Sequence, residues 1–173
     1  GKTLHVLGHA MSIAANGAIY RHWCPGDPLR ALPAITFIET ADAIYRHTSD
    51  GAWLREQASY LQRTVNWLES LTDASGRVGG GGYYIERPNR IEFDGVTQCT
   101  TAHGLQLASD LFQQFGNTQN AECSHVLRQR IVDCFQSHFW VGDHFAEYIH
   151  PERGVIANHG MTDVDWAAIA CSV

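Results

Sequence analysis

The 173-residue chain has no uninterrupted apolar run near the roughly 20 residues that a membrane-spanning helix needs. The small-residue stretch from Ala10 to Tyr20 lacks the basic flank and cleavage pattern of a signal peptide. The first residue is Gly1, as at a processed end or a cloning remnant, so export stays open beside a cytoplasmic location. Basic residues are scarce: 12 Lys and Arg stand against 18 Asp and Glu, a formal charge of −6 with no charge block. Nucleic acid and anionic membranes, which both need concentrated Lys and Arg, are thereby argued against as partners. The five cysteines (Cys24, Cys99, Cys123, Cys134 and Cys171) are odd in number and form no CxxC pair. They read as reduced, mostly buried thiols, which fits a reducing compartment.

Motifs for several chemistries are missing as well. There is no HExxH; His5 with His9, or Cys99 with His103, offers two ligands one helical turn apart and no third, so no metal is expected. Gly79 to Gly82 lacks the Lys-Ser/Thr of a phosphate loop, and no dinucleotide fingerprint or GxSxG elbow occurs. Cys99 and His103 on one helix do not make a nucleophile–base dyad. No cofactor is expected.

What the chain does contain is a copy of itself about 67 residues on. At that shift Ala41 falls on Ala108, Gln62-Arg63 on Gln129-Arg130, Val65 on Val132, and Ser70 on Ser137. Ile38 meets Leu105, Asp50 meets Asn117, and Leu68 meets Phe135. A repeat of this length with helical patterning indicates stacked helix pairs, each unable to bury its apolar face alone. The spacing predicts a helix from Asp27-Pro28, a cap followed by proline, to about His47. A tight turn at Ser49-Asp50-Gly51 leads to a helix from Ala52 to about Leu71. The second copy predicts helices over about Thr97–Phe115 and Gln119–Phe139, around Gly116-Asn117. The helix pairs thus span about 29–71 and 96–138. Apolar spacing over Thr3–Tyr20 fits the second helix of a preceding copy, and Asp163 begins the first helix of a following one.

Each pair is followed by a long loop. Tyr83-Tyr84-Ile85-Glu86-Arg87 and Arg90-Ile91-Glu92-Phe93 flank Pro88-Asn89; Phe145 to His150 and Val155-Ile156-Ala157 flank Pro151 to Gly154. Alternation on either side of a Pro-centred turn predicts short β-hairpin arms, about 79–93 and 145–157. The expected fold is all-α, antiparallel αα-hairpin repeats with small β-hairpin arms, in one domain or fragment over 1–173.

The segment Ala41-Asp42-Ala43-Ile44-Tyr45 to Trp67-Leu68, with its Ser49-Asp50-Gly51 turn, resembles the helix pair of the six-hairpin (α/α) toroid superfamily. That superfamily includes glycoside hydrolases, uronyl hydrolases, polysaccharide lyases and sugar epimerases. The chain holds about half a toroid, so the expectation is a homo-oligomer or part of a longer chain. The resemblance implies that long loops and inner-helix starts line a sugar cleft. Its candidates for general acid/base work are Asp163 and Asp165, with Asp94 and Glu86 behind them. Tyr83, Tyr84 and Trp166 would be sugar platforms, and Arg87, Gln98 and His159 polar contacts. The structural alternative for the Thr162-Asp163-Val164-Asp165 start is a helix cap. The functional expectation is a carbohydrate-processing protein; the alternative is a non-catalytic helical-repeat module that binds a partner or itself. Arms and third-helix start are expected on one face, at the end opposite the tight turns.

Overall fold

The computed structural model describes residues 31–79, 92–157 and 163–173. Among them are five α-helices, α1 (Leu32–Thr48), α2 (Gly51–Ser70), α3 (Gly95–Gln114), α4 (Thr118–His138) and α5 (Asp163–Cys171), and two short strands, β1 (Tyr148–His150) and β2 (Gly154–Ile156). The fold is all-α with one small hairpin. No helix of the described residues is long and apolar enough to cross a membrane. The first-arm residues Tyr83, Tyr84, Glu86 and Arg87, the Thr3–Tyr20 helix, His5, His9, Cys24 and His159 lie outside the described residues.

The repeat is written in three dimensions as well as in sequence. α2 shifted by 67 residues coincides with α4 to within one residue at its end. The turns match atom for atom in kind. Ser49 and Gly116, which correspond, both adopt left-handed backbone, φ 52° and 75°. The next residue caps the following helix in each copy. Asp50 Oδ1 accepts from the N–H of Ala52 (3.1 Å) and Trp53 (3.0 Å), and Asn117 Oδ1 accepts from Asn120 N–H at 3.1 Å. Such caps satisfy donors that the first helical turn leaves without partners. Even an exposed bond repeats: Gln62 Nε2 donates to Asn66 Oδ1 at 2.8 Å, and Gln129 Nε2 to Asp133 Oδ1 at 2.8 Å.

The first helix departs from expectation at its start. It begins at Leu32, not at Pro28, with Ala31 in the cap position making no side-chain cap bond. Pro33, in the first turn, serves where Pro28 was expected to, because proline's missing N–H costs nothing there.

α3 is the centre of the packing and touches each of the other four helices. α1 and α5 flank it in one row, and α2 and α4 lie behind. The main core joins Phe37, Ile38, Leu61, Leu68, Leu105, Leu111 and Phe112 across α1–α4. Burying each of these side chains stabilises the fold by about 1.5–3 kcal/mol. A second cluster, Val96, Cys99, Phe135, Phe139, Ala146, Ile149, Val164 and Ala168, sits under the hairpin and joins it to α3, α4 and α5. Cys99 and Cys134 are buried, whereas Cys123 is exposed on α4, against the expectation for most of the thiols.

After α2 the chain folds into a tight loop, 72–78, closed by an antiparallel bridge between Thr72 and Val78. Asp73 organises it: Oδ1 accepts from the N–H of Ser75 (2.9 Å) and Arg77 (3.0 Å), and Oδ2 accepts from Arg77 Nε at 2.9 Å. Gly76 at its tip has φ +96°, and a Cβ there would lie 2.4 Å from the Arg130 carbonyl oxygen of α4. The loop therefore docks backbone to backbone.

This contrast is testable. Gly76→Ala should cost about 3 kcal/mol or more, since both φ and the contact with Arg130 forbid it. Gly116→Ala, also left-handed but with nothing within 4 Å of the added carbon, should cost only about 1–2 kcal/mol. Urea denaturation of the two variants separates them; equal losses would mean that the loop does not dock on α4 as described.

Candidate functional site

The long-loop end is assembled from an aromatic stack outward. Phe135 near the end of α4 lies 5.2 Å from Phe139 and stacks on Phe145 at 4.4 Å between ring centroids. Trp140 meets the far side of Phe145 edge-on at 5.0 Å. Such rings bury large apolar areas with defined geometry, which fixes where the chain leaves the helix. Ala146 N–H then donates to the Phe139 carbonyl at 2.7 Å, and the chain enters the hairpin.

The hairpin pairs Tyr148 with Ile156, Ile149 with Val155, and His150 with Gly154. Gly154 takes φ +73° at the end of the three-residue turn, a conformation glycine adopts at little cost. On its other edge β1 is stitched to the segment that begins α3. Ile149 N–H donates to the Phe93 carbonyl (3.2 Å), Gly95 N–H to the Glu147 carbonyl (2.8 Å), and Asp94 bridges Tyr148. Helix α5 joins the same junction, for Asp165 Oδ1 accepts from Phe145 N–H at 2.9 Å. The second arm, the start of α3 and the start of α5 therefore meet at one end, opposite the turns at Ser49-Asp50 and Gly116-Asn117.

Within this junction the candidate residues have distinct environments. Asp94 is buried, and its Oδ2 accepts from Thr97 N–H (2.8 Å) and Thr97 Oγ1 (2.9 Å), capping α3. Gln98 is also buried. Its Oε1 accepts from Val78 N–H (2.7 Å), and its Nε2 donates to the carbonyls of Val78 (2.9 Å) and Asp94 (3.1 Å). That amide ties the loop after α2 to α3, a structural duty that spends its hydrogen-bonding capacity. Asp163 and Asp165 are partly buried in the first turn of α5, and Asp163 Oδ1 accepts from Val164 N–H at 3.1 Å. Trp166 faces away from α3 and is exposed.

Two residues that the repeat did not single out belong to this junction. Trp140 is half-exposed and packs on Phe145, whose N–H holds Asp165. An aromatic face beside a carboxylate is what a sugar ring needs, and Phe139-Trp140 at a helix end was the available signal. Glu147 is a carboxylate residue buried as deeply as Asp94. A glutamate so buried is uncommon without a specific job.

Electrostatics divide the neighbourhood into inert and responsive groups. Burial pushes the Cys99 thiol far up, and the neighbouring Cys171, Asp94 and Asp165 push the same way; it is not a nucleophile. Burial likewise raises Glu39 on α1, opposed by His103 of α3. His144 is held above the ordinary histidine range, first by the Ala157 carbonyl on Nε2 (2.7 Å) and then by the Asp143 carboxylate on Nδ1 (2.6 Å). Both partners accept, so the ring keeps both protons. Among the described residues no group of three or more His, Cys, Asp and Glu side chains is placed to hold a metal ion.

Three clefts in the described residues lie away from this junction. One of about 560 Å³ runs along α4 beside Ser75, one of about 400 Å³ lies between α3 and α4, and one of about 270 Å³ lies between α1 and α3 beside Tyr45 and Asp110.

No family model matches the chain, and no curated protein matches it. Among solved structures, a GH78 family rhamnosidase of Bacillus sp. GL1 is similar, with a TM-score of 0.73 at 15% identity. The likeness covers 82% of this chain but 16% of that one, so the chain matches less than a fifth of the rhamnosidase. At such identity it shows the fold alone: the helical arrangement is glycosidase-like.

His144 gives a pH test of the junction. Its pKa is raised on folding, so its contribution is complete below the ordinary value of 6.5 and fades as pH rises through the folded value above it. An NMR titration should place the His144 midpoint above that of an unperturbed histidine, and Asp143→Asn should lower it part of the way. A midpoint at or below 6.5 in the unsubstituted protein would show that the clasp to Ala157 does not form.

Proposed function

We propose that the chain belongs to a carbohydrate-processing protein of the glycoside hydrolase type, with its reaction centre at the long-loop end. The observation that carries the proposal is the junction itself, where Asp165 is fixed to the hairpin base by Phe145 N–H while Asp94 starts the adjoining helix. Glycosidic cleavage needs a proton donor at the leaving oxygen and a second carboxylate that activates water or attacks the sugar. Orienting a carboxylate through one backbone bond leaves its second oxygen for that work. Asp165 Oδ2 makes no hydrogen bond among the described residues, so Asp165 and the neighbouring Asp163 are the first choices for the pair. Asp94, which caps α3, holds the frame, and Glu86 is the further acid. Tyr83, Tyr84, Trp140 and Trp166 supply aromatic faces, and Arg87 and His159 polar contacts. The likeness of fold to a rhamnosidase supports the substrate class.

A second reading, a non-catalytic repeat module that binds a partner or a second copy, draws on the exposed Trp166 and Ile169 of α5.

The two are separated by a panel of aryl glycosides, rhamnosides included. If the first reading holds, Asp163→Asn or Asp165→Asn reduces turnover by about 10²–10⁴-fold. Stability then stays within about 1–2 kcal/mol of the parent, the scale of a lost cap. Unchanged turnover in both variants removes these carboxylates from the mechanism. A loss that follows thermal unfolding returns them to capping.

A further inference from the structure

Helix α5 presents two sides of opposite character. Val164 and Ala168 are buried in the cluster under the hairpin, whereas Trp166 and Ile169 are 68% and 72% exposed. Exposure on this scale is unusual for these two residue types one helical turn apart.

The repeat says what such positions ordinarily meet. Counting back 67 residues, the counterparts of Trp166 and Ile169 in α3 are Cys99 and Ala102, both 0% exposed. Counting back again places Ile35 of α1, 2% exposed, beneath Ile169. A one-residue change of register substitutes Gln98 and Thr101, at 1% and 0%, so the comparison does not depend on exact alignment. In the two earlier copies these positions are closed off by a helix of the second row and its neighbours: α2 packs on α1, and α4 on α3. Among the described residues nothing stands in that place against α5.

The surface also has the right chemistry for such a neighbour. From Trp166 to Val173 there is no charged side chain, in a chain whose net charge is −6. A helix with an apolar stripe can cover it without burying an unpaired charge.

We infer that this face is the seat of a further second-row helix, carried by the same polypeptide beyond Val173 and packed on α5 as α4 is packed on α3. The inference stands apart from the carbohydrate reading. It specifies the segment closely. α2 and α4 are 20 and 21 residues long and follow a left-handed residue and then a capping Asp or Asn. The new helix should be amphipathic, of similar length, with an Asp, Asn, Ser or Thr cap about 67 residues after Asn117.

The test is to read the source frame past Val173 and to express the longer chain beside the 173-residue one. The frame should contain the capped amphipathic helix at that spacing. Trp166 emission should be blue-shifted in the longer chain relative to the shorter, with a Trp166→Phe variant isolating its signal from the other tryptophans. The double change Trp166→Asp, Ile169→Asp should barely move the melting temperature of the 173-residue chain and lower that of the longer chain by several degrees. A frame that stops at Val173, or continues without such a helix, overturns the inference. So does an equal shift in both chains. A concentration-dependent dimer of the 173-residue chain, seen by sedimentation and dissociated by the double variant, assigns the face to a second copy and overturns it as well.

Discussion

At Gly95, the first residue of α3, three elements meet within the reach of one methyl group. A Cβ there would stand 2.7 Å from Val164 Cγ1 of α5 and 2.9 Å from the Ala146 carbonyl oxygen ahead of the hairpin. The missing side chain is what allows Gly95 N–H to reach the Glu147 carbonyl while Val164 closes over it. The rest of the long-loop end depends on that approach: β1 is stitched to Phe93 and Gly95, Phe145 follows the same line, and Asp165 is held by Phe145. Farther along, α3 stays narrow on the side of α1. Ala102 and Ala108 are fully buried, and a Cβ at Gly104 would already touch Ile35 at 3.4 Å. Interiors packed at such density transmit a displacement instead of absorbing it. The position of the carboxylates on α5 is thus set by contacts made along α3.

The capping carboxylates show how closely frame and chemistry are entangled. Asp50, Asn117 and Asp94 each receive backbone N–H groups at the start of a helix. Only Asp94 does so while buried at the long-loop end, next to Thr97, which donates both its N–H and its hydroxyl. A buried carboxylate so engaged fixes the entry angle of α3, and the cost of removing it is the usual penalty for stranding donors. Asp165 differs. It receives one N–H from a residue 20 positions away in sequence, which makes it a tie between elements.

Much of the architecture is legible in the sequence for a physical reason. The identities between copies fall on positions that have the same work to do: Ala41 and Ala108 are both fully buried, and Leu68 and Phe135 likewise. Asp50 and Asn117 both cap. The start of α1 was not legible, because Pro28 and Pro33 satisfy the same rule and only packing of Ala31 and Ala34 decides between them. Gln98 illustrates a deeper limit. A polar residue at the start of an inner helix looks like a cleft contact, and nothing in the sequence reveals that the backbone of Val78, 20 residues earlier, needs its amide. Trp140 escaped notice for the opposite reason. Its counterpart 67 residues earlier is Asp73, which organises a loop, so the repeat offered no hint of an aromatic there.

That last difference indicates where individuality resides. Positions that agree between copies hold helices together, so any residue devoted to chemistry should lie where the copies diverge. The inner-helix starts diverge strongly. α1 opens on Ala31 with no side-chain cap, α3 opens on a buried Asp94, and α5 has Asp163 and Asp165 in its first turn. Acidic groups therefore accumulate across the row from α1 to α5. Glu147 and the half-exposed Trp140 lie at the α5 side, on the segment that leaves α4. A symmetric scaffold has been given a one-sided end. The asymmetry is produced by loop residues over a nearly invariant helical frame, which lets chemistry be added to a repeat without disturbing its core.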